Sequence, residues 1–203
     1  MGAVGVVGGL MMRIETKRLY LRQMTEDDFD LMSLIWMERC STLFEKLADG
    51  HESQAKFLQN MWETTQDPTM LTYLIFLRDD DRFCGRVNMQ KTDEKIPELG
   101  IDLLGEYQNR GYGPEAIAAF ANWYGKSRHI SEIKVLITAA NARSAYVFQK
   151  LGAEYIQENP FFLSATKSLA EALPEKREAI MRNLRVREYL LKLPITGVSD
   201  TAP

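Results

Sequence analysis

The sequence predicts a mixed α/β protein on three observations. A short apolar run, Leu99 to Leu104, leads through a loop with two glycines into a helical stripe of Ile117, Phe120, Ala121 and Tyr124. Thr72 to Arg78 and Phe83 to Gln90 flank Asp79-Asp80-Asp81 as two strands flank a turn. Further short apolar runs and amphipathic stretches stand on both sides of this centre. The composition suits such a protein: 203 residues can hold a sizeable core, and 45% apolar with 26% charged residues is ordinary for a globular chain. A net charge of −3 and a pI near 5.6 argue against a nucleic-acid binder that works by bulk charge, and mild acidity suits a cationic partner.

Taken in order, Met1 to Leu10 is Gly/Val-rich without a basic start, and its apolar length is far below a membrane span, so residues 1–12 are expected to be a disordered extension. Leu19 to Arg22 alternates like an edge strand. Thr25-Glu26-Asp27-Asp28 is a cap with acids in the first turn, and Phe29, Met32 and Trp36 follow at helical spacing. Residues 37–50 are ambiguous, with Leu43, Phe44 and Leu47 as packing residues. Glu52 to Thr65 forms a second amphipathic helix that Asp67-Pro68 ends. Glu132 to Thr138 is a further strand. A helix then runs between an Asn141 cap and a Gly152 stop, with Val147, Phe148 and Leu151 on its apolar stripe. Ser144 falls on that stripe; a hydroxyl there either bonds back to its own helix or does chemistry. Glu154 to Gln157 and Val186 to Lys192 read as strands around a helical insertion at about 158–185, broken near Pro174. One domain is expected over residues 13–193, with a disordered tail from 194 to 203.

The loop Gln108-Asn109-Arg110-Gly111-Tyr112-Gly113, followed by Pro114, suits a phosphate group. N–H groups at a helix start lack internal partners, the helix dipole adds partial positive charge, and glycine lets backbone approach an anion closely. Pro114 fits a first helical position, and Arg110 adds a cation. An ordinary strand-to-helix turn has the same spacing. The loop lacks both the Gly-Lys-Ser/Thr ending of a P-loop and the third glycine of a dinucleotide fingerprint.

Gln-x-x-Gly-x-Gly at 108–113 resembles the acetyl-CoA pyrophosphate loop of the GNAT superfamily of N-acetyltransferases. Thr16-Lys17-Arg18-Leu19-Tyr20-Leu21-Arg22 with its acidic helix start, and Asn141-x-x-Ser144 with Lys150-Leu151-Gly152, are similar to two further segments of its ribosomal-protein alanine N-acetyltransferase branch. Spread over residues 15 to 153, these matches imply the GNAT acyl-CoA N-acyltransferase fold: a central twisted, mostly antiparallel sheet flanked by helices, with splayed central strands that bind CoA. They also imply acetyl-CoA as co-substrate. By the same resemblance Ile101 to Leu103 is the strand that meets the thioester, with Leu103 bonding the pantetheine, and Asn141 and Arg143 are coenzyme contacts.

Acetyl transfer to an amine needs a base for the ammonium proton, donors for the oxyanion and, where the thiolate needs one, a proton source. Glu98, Gly100 and Asp102 share one face of their strand by period two, which reads as a cleft rather than a core. Glu98 also stands where the resembled branch carries its strand glutamate and is the expected base; Asp102 is the fallback, and a solvated strand-end acid after Pro97 is the plain alternative. Many GNAT enzymes carry a tyrosine acid four residues before the final glycine of the second segment; here that position is Phe148. Tyr146 points roughly 160° away on the helix wheel. Ser144, which matches the branch serine, is therefore the expected acid or thiolate stabiliser.

The expected activity is direct transfer of an acetyl group to a primary amine, either a protein N-terminus or a small molecule. A binding module that holds acyl-CoA without turnover is the alternative, which the Phe148 departure keeps open, and a nucleotide-binding protein is the third reading. Cys40 and Cys84 lack the features of an activated nucleophile and are too few for a zinc site, and His51 and His129 have no metal-ligand company, so no metal is expected. A cytoplasmic monomer or homodimer without nucleic-acid or membrane partners completes the expectation. Trp36, Phe44 and Trp62 could line the acceptor cleft, but core packing suits them better.

Overall fold

The computed structural model describes residues 13–41 and 51–196. The expected extension at 1–12, the packing residues Leu43, Phe44 and Leu47, and the end of the tail lie outside them. Eight strands form one sheet: β1 (Arg13–Glu15), β2 (Leu19–Gln23), β3 (Leu71–Leu77), β4 (Phe83–Gln90), β5 (Glu98–Leu103), β6 (Glu132–Thr138), β7 (Glu154–Glu158) and β8 (Val186–Lys192). Their spatial order is β1-β2-β3-β4-β5-β6-β8-β7. Every neighbouring pair is antiparallel except β5 and β6.

Six helices are described: α1 (Phe29–Arg39), α2 (His51–Thr65), α3 (Tyr112–Arg128), α4 (Ala142–Lys150), α5 (Pro160–Ala172) and α6 (Arg177–Asn183). None of them is long and apolar enough to cross a membrane. The period-two alternation of the strands sorts side chains onto two faces. Leu19, Leu21, Tyr73, Ile75, Val87 and Met89 pack with Phe120 and Tyr124 of α3 on one face. Tyr20, Leu74 and Phe76 pack with Met32, Ile35 and Trp36 of α1 on the other, with Leu58, Met61 and Trp62 of α2 against them. Trp36 and Trp62 are therefore packing residues, as their apolar character favours.

Two terminal expectations change. Arg13–Glu15 adds a strand to β2 that alternation alone does not reveal in three residues. The chain also stays fixed past Pro194: Ile195 is buried, its N–H donates to Asn122 Oδ1 at 2.7 Å, and its carbonyl accepts from Asn122 Nδ2 at 2.9 Å. Asn122 sits on α3, remote in sequence, so this anchor is invisible to local composition. Between β7 and β8 the helical insertion forms α5 and α6, with the break at a short turn, Pro174–Lys176.

The parallel contact sets up the site. β5 meets β6 in register only at Glu98 opposite Lys134, backed by a hydrogen bond from Lys134 N–H to the Pro97 carbonyl at 2.8 Å. Beyond that point β5 continues on β4 and β6 continues on β8. The two central strands diverge, and the gap opens backbone and side chains of Ile101 to Leu103 that a continuous sheet would cover.

Candidate active site

Two cavities occupy the divergence. The larger, of about 680 Å³, is lined by Ile101, Leu103, Gln108, Asn109, Gly111, Gly113, Asn141 and Arg143, together with the walls of α1 and α4. The smaller, of about 300 Å³, is lined by Glu98, Gly100, Asp102, Asn88, Arg86 and the exposed side of β6. Ile101, Ser144 and Phe148 belong to both linings, so the two spaces meet at the start of α4.

The larger cavity has the features of an anion cradle at one end. Asn109 and Gly111 both adopt left-handed backbone, with φ of 59° and 77°. Asparagine and glycine are the residues that tolerate this conformation, and alternation of the chain through it turns successive N–H groups to one side. Gly111 is the N-cap of α3, so the N–H groups of the first turn face outward without intrahelical partners. Pro114 is the third helical residue rather than the first; its missing N–H still falls within that unpartnered turn. Gly113 has no positive φ, and a Cβ there would stand 3.6 Å from Leu103 Cδ1, an ordinary contact. Of the two glycines, only Gly111 is required by conformation.

Three loop residues also make contacts within the protein. Arg110 and Tyr112 do not line either cavity. The Arg110 carbonyl accepts from Arg18 Nη1 at 2.9 Å, and the Arg18 guanidinium lies 4.7 Å above the Tyr112 ring. The Gln108 amide is engaged inside the protein: Nε2 donates to the Leu103 carbonyl at 2.7 Å and Oε1 accepts from Arg143 Nη1 at 2.9 Å. Gln108 thus ties the end of β5 to α4 across the gap, and the Leu103 carbonyl already has a donor.

The loop is held from behind by Glu115. Its Oε1 accepts from Thr16 Oγ1 at 2.6 Å and from the Arg18 N–H at 2.9 Å, while Oε2 accepts from Arg18 Nε at 2.7 Å. Burial alone would raise this carboxyl, but the bonds from Thr16 and Arg18 outweigh it and hold it below the usual carboxylate range.

In the smaller cavity, cross-strand pairing builds a polar floor. Arg86 faces Asp102, Asn88 faces Gly100 and Gln90 faces Glu98, all on one face of β4 and β5. Glu98 is buried, not a solvated strand end. Its Oε1 accepts from Lys91 Nζ at 2.7 Å and lies 3.7 Å from Lys134 Nζ. The bond to Glu98 raises the Lys91 ammonium above its ordinary value, so the lysine stays charged. Asp102 is fully engaged: Oδ1 accepts from Arg39 Nη1 and Oδ2 from Arg86 Nε, both at 2.9 Å. Both Asp102 oxygens are thus taken by guanidinium groups, whereas the hydrogen bond to Glu98 falls on Oε1.

On α4, Asn141 Oδ1 accepts from the Ser144 N–H at 3.0 Å, which fixes the first turn. Ser127 on α3 donates its hydroxyl to the Tyr124 carbonyl, but among the described residues Ser144 Oγ makes no such bond to its own helix. Phe148 is buried at the meeting point of the cavities, where a tyrosine acid would stand. Tyr146 is exposed, and despite its position on the helix wheel it lines the rim of the larger cavity. Sequence reasoning missed Arg39, Arg86 and Asn88. The alternation of Arg86, Asn88 and Gln90 along β4 was a readable signal; the reach of Arg39 from the end of α1 was not.

Comparison with known proteins agrees with this geometry. The family model of the acetyltransferase (GNAT) domain matches residues 18–154. The chain belongs to the GNAT acetyltransferase family and is an N-acetyltransferase, with acetyl-CoA as the acyl donor that the family uses. It is 28% identical over 160 residues to the N-acetyltransferase 9-like protein of Caenorhabditis briggsae, across 70% of this chain and 76% of that protein. Among solved structures, a GNAT-family acetyltransferase from Bacillus anthracis shares the fold with a TM-score of 0.62 at 16% identity, over 89% of this chain and 98% of that one. Spermidine N-acetyltransferase from Vibrio cholerae, solved with CoA and spermine, gives a TM-score of 0.61 at 12% identity, over 89% and 98% of the two chains.

Proposed function

We propose that the protein transfers the acetyl group of acetyl-CoA directly to a primary amine, with Glu98 as the base and Ser144 beside the reacting carbon. The observation that carries this reading is the meeting of two cavities at Ile101, Ser144 and Phe148. The larger has the left-handed loop and helix start that suit a pyrophosphate at Asn109, Gly111 and Gly113, while Asn141 and Arg143 close its other side. The smaller has Glu98 in its wall.

In this reaction the amine nitrogen attacks the thioester carbonyl, a C–N bond forms and the C–S bond breaks. The ammonium proton leaves to Glu98, either directly or through water. The thiolate departs with a hydrogen bond from the Ser144 hydroxyl and takes its proton from water; a thiol, with an ordinary pKa of about 8.5, is a fair leaving group near neutral pH, so Phe148 does not stop the reaction. An acyl-enzyme on cysteine is disfavoured because neither Cys40 nor Cys84 lines either cavity, and burial pushes the Cys84 thiol up to about 12.

Release of free CoA from acetyl-CoA, followed with a panel of amines covering amino acids, short peptides, polyamines and amino sugars, tests the reading. Amine-dependent thiol release with a matching acetylated product supports it. Tight binding of acetyl-CoA with no turnover on any amine would sink it in favour of a binding module.

A further inference from the structure

The polar floor of the smaller cavity carries more donors than the protein itself satisfies. Asn88 is 1% exposed and lines the cavity, yet its Nδ2 has no hydrogen-bond partner among the described residues. A buried amide donor without a partner is costly, and such groups are seldom left so unless something else completes them. The position is built for this side chain: a Cβ on Gly100, directly across the strands, would come within 2.6 Å of Asn88 Oδ1. Any larger residue at position 100 would push the amide aside.

The neighbouring Arg86 adds to the same supply. It is 8% exposed and its contact with Asp102 runs through Nε, which among the described residues leaves the two Nη groups for another oxygen. The wider charge balance points the same way. Arg39 and Arg86 flank one carboxylate, Asp102, and Lys91 and Lys134 flank the other, Glu98. The lining itself sets Arg39 and Arg86 against Glu98 and Asp102, an even balance with no surplus of acid, although the whole chain carries a net charge of −3. A polycation would find no surplus of acid to hold it here, and its methylene chain would leave Asn88 unpaired.

We infer that this cavity recognises an amine that also carries a carbonyl or carboxylate oxygen, and that Asn88 Nδ2, with Arg86 beside it, donates to that oxygen. The inference rests on the acetyl-transfer reading and narrows its acceptor. Asn88 is thereby a specificity residue: it fixes the oxygen while Glu98, on the adjacent strand, takes the proton from nitrogen. Free amino acids and peptide N-termini share this chemistry, whereas polyamines and simple alkylamines lack it.

The test compares matched probes with acetyl-CoA: L-alaninamide, L-alanine and an alanyl peptide against ethylamine and spermidine. The wild type should favour the best oxygen-bearing amine over ethylamine by about ten- to a hundredfold in kcat/KM, the range of a buried hydrogen bond to a matched partner. Which of the three probes leads separates a free carboxylate from a peptide carbonyl. Asn88→Leu should bring that ratio close to one, chiefly through KM, with CoA affinity unchanged and thermal stability kept or raised because an unpaired donor has gone. Asn88→Asp, which turns the donor into an acceptor, should lose the preference as well. Equal or better turnover of spermidine or ethylamine by the wild type overturns the inference, and so does a ratio that survives both substitutions. Should no amine turn over, the acetyl-transfer reading fails on its own terms. Calorimetry of L-alaninamide and ethylamine on the CoA-loaded protein then still decides the inference: it stands if alaninamide binds more tightly and Asn88→Leu removes the difference, and falls if the two bind alike.

Discussion

At the scale of single residues the account depends on how Glu98 and Asp102 differ. Both lie on the same face of β5, but Asp102 receives a guanidinium on each oxygen, whereas the hydrogen bond to Glu98 falls on Oε1. Glu98→Gln should therefore lower kcat/KM by roughly 10²–10⁴ at neutral pH, with part of the rate regained at high pH as the amine loses its proton unaided. A pH–rate profile of mutant and wild type measures this. Ser144→Ala removes a hydroxyl from a half-buried helix position where alanine is the better helix former. It should leave thermal stability and CoA affinity nearly unchanged and lower kcat by roughly 10²-fold, about what one donor at a developing negative charge contributes. Loss of stability with kcat intact would make Ser144 a structural residue. The sequence made Glu98 and Ser144 visible because strand and helix periods place them. It could not show that Asp102 is spent on Arg39 and Arg86, since those contacts span 63 and 16 residues.

At the scale of elements, the start of α3 is the part most exposed to a single change. Gly111 holds a φ of 77°, which a β-branched residue adopts only with strain of ~1–3 kcal/mol. Gly111→Val also puts side chain where backbone should meet phosphate, so CoA binding measured by calorimetry should vanish while the protein remains folded but less stable. The same element has a pH signature. Glu115 is held below the ordinary carboxylate range by Thr16 and Arg18, against the effect of burial. Asp28 at the start of α1 is held low in the same way: burial pushes it up, and Arg22 and Thr25 more than reverse this. A depressed carboxyl contributes stability that is complete above its unfolded pKa, near 4, and is lost as pH falls through the lower folded value. The destabilisation caused by Glu115→Gln should accordingly be constant near neutral pH and shrink as pH drops below about 4, which thermal unfolding across a pH series would measure. The Glu115 clamp was not legible in the sequence, because Thr16 and Arg18 lie 99 and 97 residues away and nothing local pairs them.

For the whole molecule, what matters is a sheet that is continuous at every pairing except one. β5 and β6 share a single register pair and then part, and the divergence makes room for both cavities. Strand bounds follow from patterns that sequence shows well: Phe83–Gln90, Glu132–Thr138 and Val186–Lys192 have the bounds that alternation and flanking turns suggest. The splay itself was inferred through resemblance, because strand divergence is set by which long-range pairings are missing, and a missing pairing leaves no residue pattern. The edge strand β1 is too short for alternation to reveal, and the anchoring of Ile195 on Asn122 spans 73 residues. The ion pairs of the smaller cavity are likewise a property of the fold: Arg39 and Arg86 meet Asp102, and Lys91 and Lys134 meet Glu98 from outside the lining.

A crystal structure of the protein with CoA tests the central claim most directly, namely that the divergence of β5 and β6 is where donor and acceptor meet. The account predicts pyrophosphate density against the N–H groups of Asn109 to Gly113, pantetheine along Ile101 to Leu103, and the thiol beside Ser144, with the cavity at Glu98 and Asn88 still open. Coenzyme bound outside this gap, or a thiol lying away from Ser144 and the Glu98 cavity, would contradict it.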